Sequence, residues 1–223
     1  MSFRDRSDAG RALAQALARY KNEQPVVLAL PRGGVPVAAE VAIALKAPLD
    51  LILVRKIGVP LQPELAMGAV ADGDTPLIVR NEDVIGLAEI QESEFKEVCD
   101  RELDEIERRR LRYLGNRPRV EVRGRTAIVV DDGIATGATT RAALRVTRRR
   151  KPKKLVLAVP VAPTDTVVAM RQEADDVICL EEYELFGAIG YYYADFRQIS
   201  DQEVIETLAR FPIQAAGNPK TTV

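Results

Sequence analysis

The chain is expected to fold as an α/β protein built on a doubly wound, mainly parallel sheet. Short apolar runs alternate with helix-spaced segments along most of the 223 residues. Those runs are apolar at every position rather than at alternate ones, as strands covered on both faces require. With 47% apolar residues the chain can bury a sizeable core, and its length fits one domain with an insertion.

Taken in order, Ser7 or Asp8 can cap a first amphipathic helix that reaches about Tyr20. PVVLAL (25–30) stops at Pro31 and reads as a buried strand, and VPVAAEVAIAL (35–45) has helical spacing and ends near Pro48. LDLILV (49–54) is the next strand. RKIGVPLQPEL (55–65), broken by Gly58, Pro60 and Pro63, reads as a loop. AMGAVA (66–71) and PLIV (76–79) flank the turn residues Asp72, Gly73 and Asp74 and read as a hairpin or as neighbouring strands. Residues 87–114 form a long charged segment in which Phe95, Val98, Cys99, Leu103, Ile106 and Leu114 follow roughly helical spacing. That stripe suits packing on the core or on a second subunit, the core being the commoner arrangement. Strands recur at 126–130, 154–159 and 177–180 with helices at 139–150 and 165–174 between them, then a last helix at 201–210 and a frayed tail from Gly217. Ligands of such sheets lie beyond the C-terminal strand ends, so the loops starting at Pro31, Arg55, Asp131 and Val161 are the functional candidates.

A formal net charge of −1 gives no global attraction to nucleic acid or membrane. The basic runs Arg108-Arg109-Arg110 and Arg148-Arg149-Arg150-Lys151 read as a solvated helix face and a helix C-terminus, since acids interleave the first and no aromatics flank the second. Nucleic acid is therefore not an expected partner. Histidine is absent, which excludes His-based zinc sites and every Ser-His or Cys-His scheme. Two distant cysteines make no disulfide framework. The first residues lack an apolar leader core and no apolar run reaches ~18 residues, so a soluble cytoplasmic protein is expected, with no membrane partner.

The stretch TAIVVDDGIATGATTRAAL (126–144) carries the strongest chemical signal. An apolar strand runs into Asp131 and Asp132, then into a loop of small and hydroxyl residues, then into a helix. Gly133 and Gly137 permit unusual backbone angles, and Ala135 and Ala138 allow close approach of a ligand. The loop amides and the helix N-terminus suit a phosphate, with hydroxyls from Thr136, Thr139 and Thr140. Carboxylates repel phosphate, so the two acids need hydroxyl donors or a cation such as Mg2+. A lone acid at a strand end usually caps a turn, but the whole pattern suits a phosphorylated sugar. Neither a Walker loop nor a GxGxxG dinucleotide fingerprint is present.

VVDDGIATGATT resembles the ribose-phosphate signature of the type I phosphoribosyltransferases, and the element order over about 25–200 is similar to theirs. The resemblance implies that fold, as one domain over 1–223 with a core at about 25–180, a helical insertion at about 83–118 and a small hood from about 1–20 and 181–215. It implies that Asp131 and Asp132 hold the ribose hydroxyls of phosphoribosyl pyrophosphate and, through water or ribose, Mg2+. Ala135, Thr136, Gly137, Ala138 and Thr139 would take the 5′-phosphate. LPRGGVP (30–36) stands where the family has its pyrophosphate loop, with Arg32 as cation and Gly33 and Gly34 exposing amides. Residues 54–70 resemble the mobile catalytic loop, with Arg55 and Lys56 neutralising the leaving group and Glu64 as the one acid of the lid. Residues 181–196 resemble the hood over the acceptor base, where Phe186, Tyr191 and Tyr193 are candidates for stacking.

The implied reaction moves a 5-phosphoribosyl group onto a nitrogenous base and releases pyrophosphate. Gly133 departs from the family, whose members usually carry an apolar residue there, and extra loop freedom is expected. Ala135 stands where the 6-oxopurine members have a third acid, as in adenine-type members, leaving Glu64 as an alternative proton acceptor. The competing readings are a sensor of phosphoribosyl pyrophosphate or nucleotides that regulates transcription or another enzyme, and a different phosphosugar enzyme. A homodimer is possible on this fold, and no side chain identifies the acceptor base.

Overall fold

The computed structural model describes residues 2–72 and 76–213. Five strands form one parallel sheet in the order β2-β1-β6-β7-β8: β1 (Val26–Ala29), β2 (Leu49–Leu51), β6 (Thr126–Val130), β7 (Lys154–Pro163) and β8 (Asp176–Tyr183). Alternate residues of each strand face opposite ways. Val27, Ala29, Ile128, Val130, Val156 and Ala158 pack on one side with α1 (Arg6–Ala16) and α2 (Gly34–Leu45). Val26, Leu28, Ala127, Val129, Leu155 and Leu157 pack on the other with α5 (Ala138–Arg149) and α6 (Thr164–Met170). The sheet is doubly wound, and its order reverses between β1 and β6, the place where ligands of such folds bind.

The main departure from the sequence reading lies at 55–65. This stretch is not a loop. It joins β3 (Val54–Val59) to β4 (Gln62–Ala71), and with β5 (Leu77–Arg80) these form a separate antiparallel sheet. Pro60 and Leu61 make the turn. Gly58, which looks like a loop breaker, is a close-approach residue: a Cβ there would lie 2.5 Å from the Pro63 carbonyl oxygen across the hairpin. The register shifts on both sides of Gly58, so it sits in a bulge. Of the Asp72-Gly73-Asp74 turn, only Asp72 is among the described residues.

The charged segment forms α3 (Glu82–Leu87) and α4 (Glu92–Leu114). Phe95, Val98, Cys99 and Ile106 of α4 join the core beneath the hairpin sheet, so this helix packs on its own chain. Arg80 pins β5 to it, bidentate to Glu92 at 2.8 and 2.9 Å and 4.2 Å from the Phe95 ring centre. The first helix is capped by Asp5 rather than by Ser7 or Asp8 and ends at Ala16, before a 3-10 turn at Ala18–Tyr20. Leu13, Leu17 and Tyr20 are fully buried in the core, so most of the expected N-terminal hood belongs to the sheet layer. Phe3 and Arg4 pair with residues 192–195, and Phe3, Ala9, Val161 and Tyr193 form the buried centre of the hood. The last helix is α7 (Asp201–Ala209), and the tail from Gly217 lies outside the described residues. Among the described residues no helix is long and apolar enough to cross a membrane.

Candidate active site

The ends of β1 and β6 are tied by the Leu30 amide, which donates to the Val130 carbonyl at 3.0 Å. Two loops therefore leave the sheet side by side. LPRGG follows β1 and includes a cis peptide between Pro31 and Arg32. DDGIATG follows β6. Their contact is close enough to demand glycine. A Cβ on Gly33 would lie 2.0 Å from Oδ2 of Asp132, and one on Gly34 would lie 2.8 Å from the Val130 carbonyl oxygen. Gly33 and Gly34 are thus brought against Asp132 and Asp131, while the Gly34 amide donates to the Leu30 carbonyl at 3.1 Å and the Arg32 side chain reaches Asp201 instead.

Asp132 is 7% exposed and held on three sides. Nε of Arg6 donates to its Oδ2 at 2.7 Å, and the Tyr193 hydroxyl donates to its carbonyl oxygen at 2.6 Å. Its own amide donates to Oδ1 of Asp131 at 2.9 Å. Arg6 is itself 8% exposed, donates from Nη1 to the Arg197 carbonyl at 2.8 Å, and lies 3.9 Å from the centre of the Phe196 ring. A buried carboxylate needs such a partner. Burial and the adjacent Asp132 push the Asp131 carboxyl well above the usual carboxylate range.

Sequence reasoning missed Arg6, although a signal existed. It falls on the same helical stripe as Ala9, Gly10 and Leu13, and a charge on a buried stripe requires a buried partner.

The 5′-phosphate candidates form an open turn. Gly137 adopts φ +75° and begins α5 with no side-chain cap. Ala135, Thr136, Ala138 and Thr139 around it are exposed. The loop is braced from below by the Thr166 hydroxyl, which donates to the Ala135 carbonyl at 3.0 Å. Uncapped helix-terminal amides beside a left-handed glycine make an anion cradle. Gly133 does not use a left-handed angle. It is required because a Cβ there would meet Ile189 Cγ2 at 2.7 Å and Val161 Cγ2 at 2.9 Å. The hood rests on this glycine.

Of the lid candidates, Lys56 and Glu64 meet, and Arg55 points away from both. Arg55 and Lys56 are consecutive on a strand and project to opposite faces of the hairpin. Arg55 turns to α4, its Nε donating to Glu102 at 2.6 Å. Lys56 lines a cleft of about 480 Å3 together with Ala138 and Thr139 at the start of α5, and with Arg80 and Arg141. Its Nζ donates to Oε2 of Glu64 at 3.1 Å, and the Glu64 side chain is fully exposed.

Of the three aromatic candidates, Tyr193 offers no free face. It is 3% exposed and packs against Phe3 and Phe196 with ring centres 5.7 and 5.0 Å away, so its part is to hold the Asp132 backbone. Burial raises its hydroxyl pKa, keeping it a donor. Phe186 is stacked on Tyr192 at 5.0 Å, and Tyr191 is 73% exposed.

Residues 5–197 match the family model described as phosphoribosyl transferase domain. Curated relatives from two strains of Mycobacterium tuberculosis, provisionally named phosphoribosyl transferases, are each 49% identical over 208 residues. That alignment covers 93% of this chain and 46% of theirs, so the chain spans about half the length of the curated relatives it matches. The crystal structure of TT1426 from Thermus thermophilus superposes with a TM-score of 0.84 at 42% identity, covering 95% of this chain and all of that one.

Proposed function

Because the chain belongs to the phosphoribosyl transferase domain family and carries the type I fold, we propose that it transfers the 5-phosphoribosyl group of phosphoribosyl pyrophosphate to a nitrogenous base. The observation that carries this reading is the contact of Gly33 with the Asp132 carboxylate at the sheet's switch point. It sets the loop that carries Arg32 against a pair of acids, beside an uncapped helix terminus. In the proposed complex the acids accept hydrogen bonds from the ribose hydroxyls. The amides of 135–139 take the 5′-phosphate, and Arg32 with the Gly33 amide takes the pyrophosphate, the Gly34 amide being bonded to the Leu30 carbonyl.

In the reaction the bond from the anomeric carbon to the pyrophosphate oxygen breaks, and its electron pair leaves with that oxygen. The ring nitrogen of the acceptor supplies the pair for the new bond. Arg32 and Lys56 stabilise the departing charge, and Asp131 and Asp132 support the positive charge growing on the ribose. Glu64, at the solvent-facing end of the hairpin, is a proton acceptor only if the hairpin closes.

Mg2+ fits the donor set as a substrate-borne ion. Among the described residues no cluster of three or more His, Cys, Asp or Glu forms a cage, and Arg6 occupies one Asp132 oxygen. Asp131 and Asp132 would hold the ion through water or ribose oxygens. When bound, it offsets pyrophosphate charge.

The test is a panel of nucleobases offered with phosphoribosyl pyrophosphate and Mg2+, read as pyrophosphate release and nucleotide mass. One base yielding both is expected. Tight binding without release for any base would favour the sensor reading, and no binding of phosphoribosyl pyrophosphate would end both.

A further inference from the structure

Arg32 is the cation of the loop after β1, and its surroundings come from far along the chain. Its Nη1 reaches Oδ1 of Asp201, at the start of α7, at 3.5 Å. The same oxygen accepts the Tyr113 hydroxyl at 2.6 Å, and Oδ2 of Asp201 pairs with Nε of Arg112 at 2.9 Å. Tyr113 and Arg112 belong to the last turn of α4. Tyr113 is 6% exposed.

The three distances differ in kind. The Tyr113 hydroxyl binds Asp201 at normal hydrogen-bond length and Arg112 pairs with it as an ion, whereas the Arg32 hydrogen bond lies at the outer limit. The carboxylate is therefore fixed by α4, whether or not Arg32 stays on it. Two guanidinium groups share one carboxylate, so the cluster keeps a net positive charge. Nε and Nη2 of Arg32 have no hydrogen-bond partner among the described residues. An arginine whose carboxylate partner is already matched by another cation is oriented without being neutralised, and it keeps donors for an anion.

We propose that Tyr113 and Asp201 are positioning residues that aim Arg32 at the pyrophosphate end of the substrate, which gives the inserted helix α4 a role in the site. This rests on the functional reading above. The Tyr113 hydroxyl also holds the Asp201 carboxyl below its ordinary range, keeping it charged.

A purely architectural cluster would dock α7 on α4, and its loss would lower the melting temperature and weaken all ligands alike. A positioning cluster separates the two halves of the substrate. The experiment titrates wild type, Arg32→Gln, Tyr113→Phe and Asp201→Asn with magnesium pyrophosphate and, separately, with ribose 5-phosphate. Glu107→Gln, on the exposed side of α4, serves as control. Arg32→Gln should weaken pyrophosphate binding about tenfold or more, as loss of a charge-assisted contact does. Tyr113→Phe and Asp201→Asn should weaken it about threefold or more, as loss of an orienting hydrogen bond does. Ribose 5-phosphate affinity should be retained in every variant. In the Arg32→Gln background Tyr113→Phe should have no further effect.

Unchanged pyrophosphate affinity in Tyr113→Phe and Asp201→Asn, with Arg32→Gln impaired, would overturn the positioning role alone. So would equal losses for both ligands with a lowered melting temperature. Wild-type protein that binds neither ligand would overturn the functional reading, and this inference with it.

Discussion

Replacing Asp132 with Asn leaves the Arg6 guanidinium buried beside a neutral group. Breaking a buried ion pair costs about 3–5 kcal/mol, and Asn keeps an acceptor, so a loss toward the lower end is expected. Asp131 has the opposite prospect. Burial and its neighbour disfavour its charge, so Asp131→Asn should hold or raise the melting temperature at neutral pH. Both substitutions should weaken phosphoribosyl pyrophosphate binding. Thermal melts with calorimetric titration check this; equal melting temperatures for the two would contradict the Arg6 pairing. Gly133 supplies a second residue-scale test. Gly133→Ala forces a methyl against Ile189 and Val161, and overpacking of this kind costs about 1–3 kcal/mol. Ile189 of the hood fills the space beside this glycine. A Gly133→Ala protein of unchanged stability and hood structure would refute that account.

Among the elements, the β3–β4 hairpin is where sequence reading was weakest. One glycine and two prolines signal a loop when only local conformation is considered. Cross-strand contact decides otherwise, since Gly58 allows the Pro63 backbone to approach and Ile57 and Val59 anchor the strand in the core. Strand alternation then separates two cations that look equivalent in the sequence. Lys56 shares a cleft with Thr139, whereas Arg55 is committed to α4 through Glu102. Lys56→Ala should therefore lower kcat more than it weakens binding of phosphoribosyl pyrophosphate, while Arg55→Ala should chiefly loosen the hairpin and lower the melting temperature. Steady-state kinetics set beside melting curves distinguish them. Equal losses of rate and affinity in Lys56→Ala would remove it from the leaving-group contact.

For the whole molecule, the proposed ligand bridges loops from several strands and helices, so binding should be coupled to global unfolding. At a free phosphoribosyl pyrophosphate concentration about 100-fold above its Kd, the folded state should gain about 2.7 kcal/mol. Scanning calorimetry reads this as a raised Tm, and an unchanged Tm at saturation would place the ligand off the folded domain. The domain covers less than half of its curated relatives, so activities of those longer proteins need not reside in this half.

The sequence by itself determined the doubly wound sheet, its helices and the small-residue turn between β6 and α5. Those signals are local: apolar runs, helical spacing, and adjacent acids followed by glycine and threonine. Tertiary structure decided what each candidate touches. Arg6 reaches Asp132, Tyr193 clamps the same residue from the hood, and Tyr113 meets Arg32 through Asp201. Each of these contacts joins residues distant in sequence, and periodicity within an element carries no information about which distant element will supply a buried charge with its partner.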